Sequence, residues 1–167
     1  VALTTAQVAA LSTADIAAMT TGQIATFETA QIIALTSADT ATLSSAQAAA
    51  LTTAQVAAMD TADFAALKTA SVRALSTSAI NGLTTAEVAV LNTANTTALT
   101  TAQIAALTSA HIAALTSANA VVLTTDQAAT LSSAQLGALS TLDMSVLSSA
   151  DVRALRSTAL AGLTRSE

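Results

Sequence analysis

Leu3, Leu11, Met19, Phe27, Leu35, Leu43 and Leu51 begin a register that runs to Leu163, with a large apolar side chain at every eighth position. The consensus octapeptide is Leu-Thr-Thr-Ala-Gln-Val-Ala-Ala, complete at Leu51 to Ala58 and, with Ile for Val, at Leu99 to Ala106. A unit this short cannot enclose a core of its own. It buries its apolar residues only against neighbouring units, so residues 1–167 read as a single solenoid in which stability accumulates along the stack.

With the Leu as slot one, slot three is Ser or Thr in every complete repeat and slot two is mostly Ser, Thr, Asp or Asn, with Glu28, Lys68 and Arg156 as exceptions. Hydroxyl and carboxylate oxygens at such positions accept hydrogen bonds from the N–H groups that a helix leaves unpaired at its start. Three residues after slot two comes Gln, Asp, Glu or Asn in most repeats, as in Thr52 and Gln55, which is the spacing of a capping box. Each octapeptide therefore carries its own helix start. One continuous helix is excluded on geometry as well, because eight residues at about 100° each overshoot two turns by about 80° and would wind the Leu stripe around the rod.

The expected fold is accordingly all-α, a solenoid of very short helices, one per octapeptide. Helices of this length are unstable alone, since nucleation costs more than a few hydrogen bonds return. Slot six, apolar except at Thr40 and Thr96, is a second core position beside slot one. Full burial of a Leu or Val is worth roughly 1.5–3 kcal/mol before entropy is subtracted. The alanines of slots four, seven and eight are expected where backbones approach closely.

A longer period lies inside the first. Asp15, Asp39, Asp63, Glu87 and His111 all occupy slot five and are spaced by 24 residues, whereas Gln7, Gln31, Gln55, Gln103 and Gln23, Gln47, Asn95, Asn119 fill slot five of the other two series. Three inequivalent octapeptides imply three short helices per superhelical turn, and about seven such coils fit the 167 residues. Duplication of a 24-residue unit without geometric meaning would give the same spacing. The rival architecture is a triangular β-solenoid, which Thr, Val and Ile would suit. Its coils would stack the Asp15 to Glu87 column about 4.8 Å apart. Helices packed at about 8–10 Å make that column tolerable, and Ala, Leu and Gln prefer helix. The last repeats, with Leu142, Met144, Thr158 and Gly162, depart from consensus and are expected to cap the stack or fray.

Several functions are disfavoured. Ten acids against five bases give a net charge of −5, and Lys68, Arg73, Arg153, Arg156 and Arg165 form no stripe for a phosphate backbone, so no nucleic-acid partner is expected. Val88 to Thr125 lacks any carboxylate, Lys or Arg. Even there, Ser, Thr and Gln interrupt every eight residues, which a membrane-spanning helix of about twenty predominantly apolar residues does not tolerate. The absence of Cys removes disulfides and thiolate ligands. The acidic column reads as helix-start electrostatics and not as a calcium ladder, because single carboxylates most of about 10 Å apart cannot share an ion that needs six to eight oxygens. His111, the sole His, makes no metal site alone and reads as a polar surface residue. Gly22, Gly82, Gly137 and Gly162 make no phosphate loop. No catalytic, cofactor-binding or metal-binding residue is assigned, and enzymatic activity is not expected.

The units Leu51 to Ala58 and Leu99 to Ala106 resemble the LTTAQ(V/I)AAL arrays of very large secreted or surface proteins of bacteria, often adhesin-like. The resemblance extends over the whole chain and carries no site residues. It implies an exported, stalk-like segment at the cell surface or outside the cell. Its partners would then be flanking domains of the same polypeptide, other copies of the array or a cell-surface ligand. The phrase also resembles the repeats of transcription-activator-like effectors, but those are several times longer and include base-reading loops for which an octapeptide has no room. The start at Val1, without Met and two residues before the first repeat, fits a segment of a longer array. The leading expectation is a structural or interaction segment, a rigid spacer or adhesive stalk. The alternative is a ligand-binding surface for ice or glycans built from the Ser/Thr array.

Overall fold

The computed structural model describes residues 3–160, apart from the side chains of Ser157 and Thr158. Twenty helices of four to six residues, α1 (Thr5–Ala9) to α20 (Ser157–Leu160), follow one another with one helix per octapeptide. No strand occurs among the described residues. The fold is the all-α solenoid of short helices, and the β-solenoid alternative is set aside.

Each start is made by the residues that the octapeptide supplies. Thr52 lies in the extended region (φ −81°, ψ 162°), its Oγ1 accepts from Gln55 N at 3.3 Å, and Gln55 Oε1 accepts from Thr52 N at 2.8 Å. Each stop is a return of slot one to extended backbone, as at Met19 (φ −63°, ψ 143°) and Leu107 (φ −64°, ψ 138°). The corner is thus made by φ/ψ switching between the α and extended regions. No described residue has positive φ, so the corner needs no glycine to turn.

Helices pack on the third helix before and after them in sequence. α5 (Ser37–Thr40) lies against α8 (Thr61–Ala66), α6 (Ser45–Ala49) against α9 (Thr69–Ala74), α7 (Thr53–Val56) against α10 (Thr77–Asn81), and α8 against α11 (Thr85–Ala89). The same step joins α11 to α14 (Ser109–Ala113) and α16 (Thr125–Thr130) to α19 (Ser149–Ala154). Three helices therefore make one turn, and the 24-residue period has a geometric cause.

One apolar cluster runs from Val8 to Ala159. Slot six forms its centre: Val8, Ile16, Val56, Phe64 and Ile104 are at most 1% exposed. Thr40 and Thr96 replace Val there as near-isosteres, and their hydroxyls donate within their own helices, to Ser37 O and Asn92 O, both at 3.1 Å. Slot one lines the corners, as with Leu51, Leu67 and Leu99, each 3% exposed.

The slot-four alanines do not sit where the sequence reading put them. Ala6, Ala30, Ala54 and Ala102 are exposed. Slot four precedes slot six by two residues, about 200° around a helix, so it faces away from the core. Ala at this slot serves helix propensity instead of close contact. Slot seven is also mostly exposed, and only slot eight is half-buried between coils, as at Ala58 and Ala106. Among the aberrant last repeats, Leu142 is exposed and Met144 half-buried; the expectation that they cap or fray rested also on Thr158 and Gly162, which lie outside the described side chains and residues.

Candidate functional site

The distinctive chemistry of this chain lies at slot five, where the stack buries polar side chains. Gln47, Gln55, Gln103, Gln127 and Gln135 are 2–4% exposed. Each does two jobs. Its Oε1 accepts from the N-cap N–H of its own helix, 2.8 Å in all five. Its Nε2 donates downward to the coil below, to the slot-six and slot-one carbonyls 31 and 28 residues earlier. Gln55 Nε2 reaches Ile24 O at 2.9 Å and Phe27 O at 2.8 Å, and Gln135 Nε2 reaches Ile104 O and Leu107 O at the same distances. Gln103 bonds Val72 O, Arg73 O and Leu75 O. These carbonyls are among those that a helix leaves unpaired at its C-terminal end. One amide thus satisfies the start of one helix and the end of another a coil away.

Shorter residues make different stitches. Asn119 Nδ2 donates to Leu91 O and Ser71 Oγ to Leu43 O, both at 2.9 Å. Asp143 and Asp151 cannot donate, and each instead accepts from a slot-three hydroxyl of the coil below, Ser117 Oγ at 2.8 Å and Thr125 Oγ1 at 2.9 Å.

The acidic column is buried too. Asp39, Asp63 and Glu87 are 6%, 5% and 1% exposed, whereas Asp15, in the first coil described, lies open to solvent. Helix-start electrostatics and capping account for Asp15, whose carboxylate accepts from Ser12 Oγ and Ser12 N and is held below the usual range by them. Higher in the column the balance changes. Burial, with the charges of Asp60 and Asp39, pushes Asp63 up to about 6. Burial also raises Glu87, against the opposing bonds from Thr84 N and Thr84 Oγ1. At Asp143 burial acts the same way, but hydrogen bonds from Ser140 and Ser117 outweigh it and lower the carboxyl.

His111 is not the surface residue that its polarity suggested. It is 6% exposed, and its Nδ1 accepts from Thr108 N at 3.3 Å. The imidazole thus takes the accepting half of the Gln role at the same slot. The error has a physical origin: burial at slot five depends on a coil a full turn away, which local polarity does not report.

Among the described residues no cluster of His, Cys, Asp or Glu is arranged to hold a metal ion, and no helix is long and apolar enough to cross a membrane. The slot-two hydroxyls are engaged as caps, several of them also donating to the slot-five carboxylate of the same helix, as Ser12 Oγ does to Asp15 Oδ2 at 2.6 Å. What the buried ladder does chemically is hold coils in register.

A family model described as the ALTTAQ repeat matches residues 1–29, 24–61, 56–93 and 88–117 in tandem. Those matches take in well over half of the chain, and the chain belongs to the ALTTAQ repeat family. No curated protein and no solved structure matches it.

Proposed function

We propose that this ALTTAQ-repeat array is a structural and interaction segment, a rigid spacer or adhesive stalk within a large secreted or surface protein of bacteria. The observation that carries the reading is the continuity of the stack: one apolar cluster from Val8 to Ala159, with coil-to-coil amide bonds from Gln47 to Gln135. A solenoid of this kind fixes the separation of whatever is attached to its two ends. Among the described residues the outer surface is mostly Ser, Thr and Ala, which suits a spacer. Flanking domains are the first partners, with self-association or a cell-surface ligand as the adhesive form of the same role.

Small-angle scattering tests the spacer directly. Insertion of one further 24-residue coil should lengthen the rod by about 8–10 Å, the separation of packed helices, without thickening it. A cross-section that grows with length, or a maximum dimension that stays constant, would remove the reading. Labelling of intact, unpermeabilised source cells with an antibody to the array tests the surface location.

A second reading, ligand binding to ice or glycans, is supported by the slot-three hydroxyls. Thr5, Thr13, Thr21, Thr29, Ser37 and Ser45 are exposed and do not serve as the N-caps, which come from slot two. Thermal hysteresis in supercooled buffer, or retention on a glycan array, would favour it over the spacer.

A further inference from the structure

Slot five changes character in the middle of the array. From Asp63 through Ser71 and Ala79 to Glu87, four consecutive repeats lack the amide, a stretch longer than one full coil, between Gln55 and Asn95. The coil α8 to α10 therefore rests on α5 to α7 without a single slot-five Gln. Its side-chain bonds to that coil are Ser71 Oγ to Leu43 O and, from below, Thr53 Oγ1 to Ser78 O at 3.1 Å.

Glu87 shows what is missing. Its Oε2 accepts from Thr84 N at 2.6 Å and Thr84 Oγ1 at 2.7 Å, which is the cap half of the Gln role. Its Oε1 occupies the remaining half, is buried, and has no hydrogen-bond partner. The offsets of 31 and 28 residues that lead from Gln55 to Ile24 and Phe27 lead from Glu87 to Val56 and Met59, at the corner between α7 and α8. A carboxylate presents only lone pairs to carbonyl oxygens, whereas a neutral carboxylic acid has one O–H to donate. The groups around it add negative charge and little else. Asp63 and the N-cap Asp60 lie on α8 beneath, with Asp39 on α5 below that, and His111 stands above on α14. Lys68 and Arg73 are exposed on and beside α9 and supply no bond to the column, Arg73 donating instead to Ala98 O.

We infer that the joint between α8 and α11 is proton-controlled: neutral Glu87 closes it as Gln does elsewhere in the stack, and its ionisation loosens it. The raised carboxyl of Glu87 agrees with this arrangement, and Asp63 beneath it is raised by burial and by the charges of Asp60 and Asp39. Because a raised acid binds its proton more tightly in the folded joint, closure is complete below the ordinary carboxyl range and is lost as pH rises through the shifted values. The inference concerns the mechanics of the stack and does not depend on the spacer reading.

Hydrogen exchange of the whole chain, followed by mass spectrometry at pH 4.5 and pH 7.5 and corrected for intrinsic rates, reads the joint locally. Protection of peptides spanning Thr61–Ala66 and Thr85–Ala89 should fall by roughly fivefold to tenfold more than that of Thr101–Ala106 over this interval. Glu87→Gln should abolish most of the α11 change and hold it protected at both values. Equal protection changes in the joint and in Thr101–Ala106, or an unchanged pH response in a folded Glu87→Gln chain, would overturn the inference. Carbon-detected NMR titration of the Glu87 side chain in the unmodified protein decides the case even if the variant misfolds: a midpoint well above that of free Glu supports the joint, and one at or below it refutes it.

Discussion

Gln103→Met isolates the value of the slot-five stitch. Met matches Gln in length and flexibility and has no strong donor or acceptor, so packing is nearly kept while the hydrogen bonds are lost. Gln103 is 2% exposed. Its removal leaves Thr100 N without its acceptor at 2.8 Å and Leu75 O without its donor at 2.8 Å, whereas Val72 O still accepts from Leu75 N at 3.3 Å. A buried backbone group stripped of its partner costs about 1–3 kcal/mol; with Leu75 O buried and Thr100 N half-buried, and about 1 kcal/mol returned by the added apolar burial, the net loss is about 1–4 kcal/mol. Gln23→Met is the control. Gln23 is exposed and bonds only within its own cap, through Thr20 N and Thr20 Oγ1, so its loss should stay below about 1 kcal/mol. Urea unfolding followed by circular dichroism at pH 7 measures both. Equal losses from the two variants, or a Gln103→Met chain as stable as the parent with an unchanged denaturant slope, would show that the inter-coil bonds do not hold the stack.

Lys68 caps α9 without any side-chain hydrogen bond, so Lys68→Thr should stabilise the chain by about 0.5–1 kcal/mol in the same urea assay. A β-carbon at Gly82 would lie 2.3 Å from Thr53 Cγ2 and 3.0 Å from Thr53 O; Gly82→Ala should cost about 1–2 kcal/mol, and Thr53→Ser in the same chain should recover part of it. Leu83 is 4% exposed at a corner, and Leu83→Asp should split thermal unfolding into two transitions, because neighbours hold each repeat. Stability should vary with pH in two opposed ways, read as the unfolding temperature of dilute samples. Asp63 and Glu87, raised on folding, stabilise below their ordinary range and lose that contribution as pH rises, for Asp63 between 3.8 and about 6. Asp15 and Asp143, lowered on folding, stabilise above their ordinary range and lose it on acidification through their lowered values. The maximum should fall at about pH 4.

Helix starts, core slots and the grouping in threes were legible because each is written within one octapeptide or in its simplest multiple. The caps at Thr52 and Gln55 need only residues three apart, and the column from Asp15 to His111 needs only a count of 24. Burial of slot five was not legible from polarity, because Gln55 is buried by carbonyls at Ile24 and Phe27 that belong to another coil. One signal did point to it. A capping box accepts Glu as readily as Gln, yet Glu87 is the sole Glu at slot five among the described residues against many Gln. The preference for Gln over Glu fits a slot where a long side chain donates as well as accepts, whereas the shorter Asp143 and Asp151 fill it by accepting alone. His111 meets the accepting half of that role with its ring Nδ1.

The run from Asp63 to Glu87 keeps the apolar half of the coil interface and loses the polar half. Phe64, Val72, Ile80 and Val88 are at most 1% exposed, so the core passes through this region without a break. Apolar contact is non-directional and tolerates small rotations of one coil on the next, whereas an amide bonded to carbonyls at 2.8–2.9 Å fixes both separation and angle. A stack that retains the first and lacks the second should bend there without coming apart. The absent amide at Ala79 is offset in part by closer approach, since Gly82 lets α10 settle on Thr53. At Glu87, whose Oε1 is buried without a partner, there is no such compensation, and on the inference above the stiffness of the rod at its middle follows that carboxyl's proton.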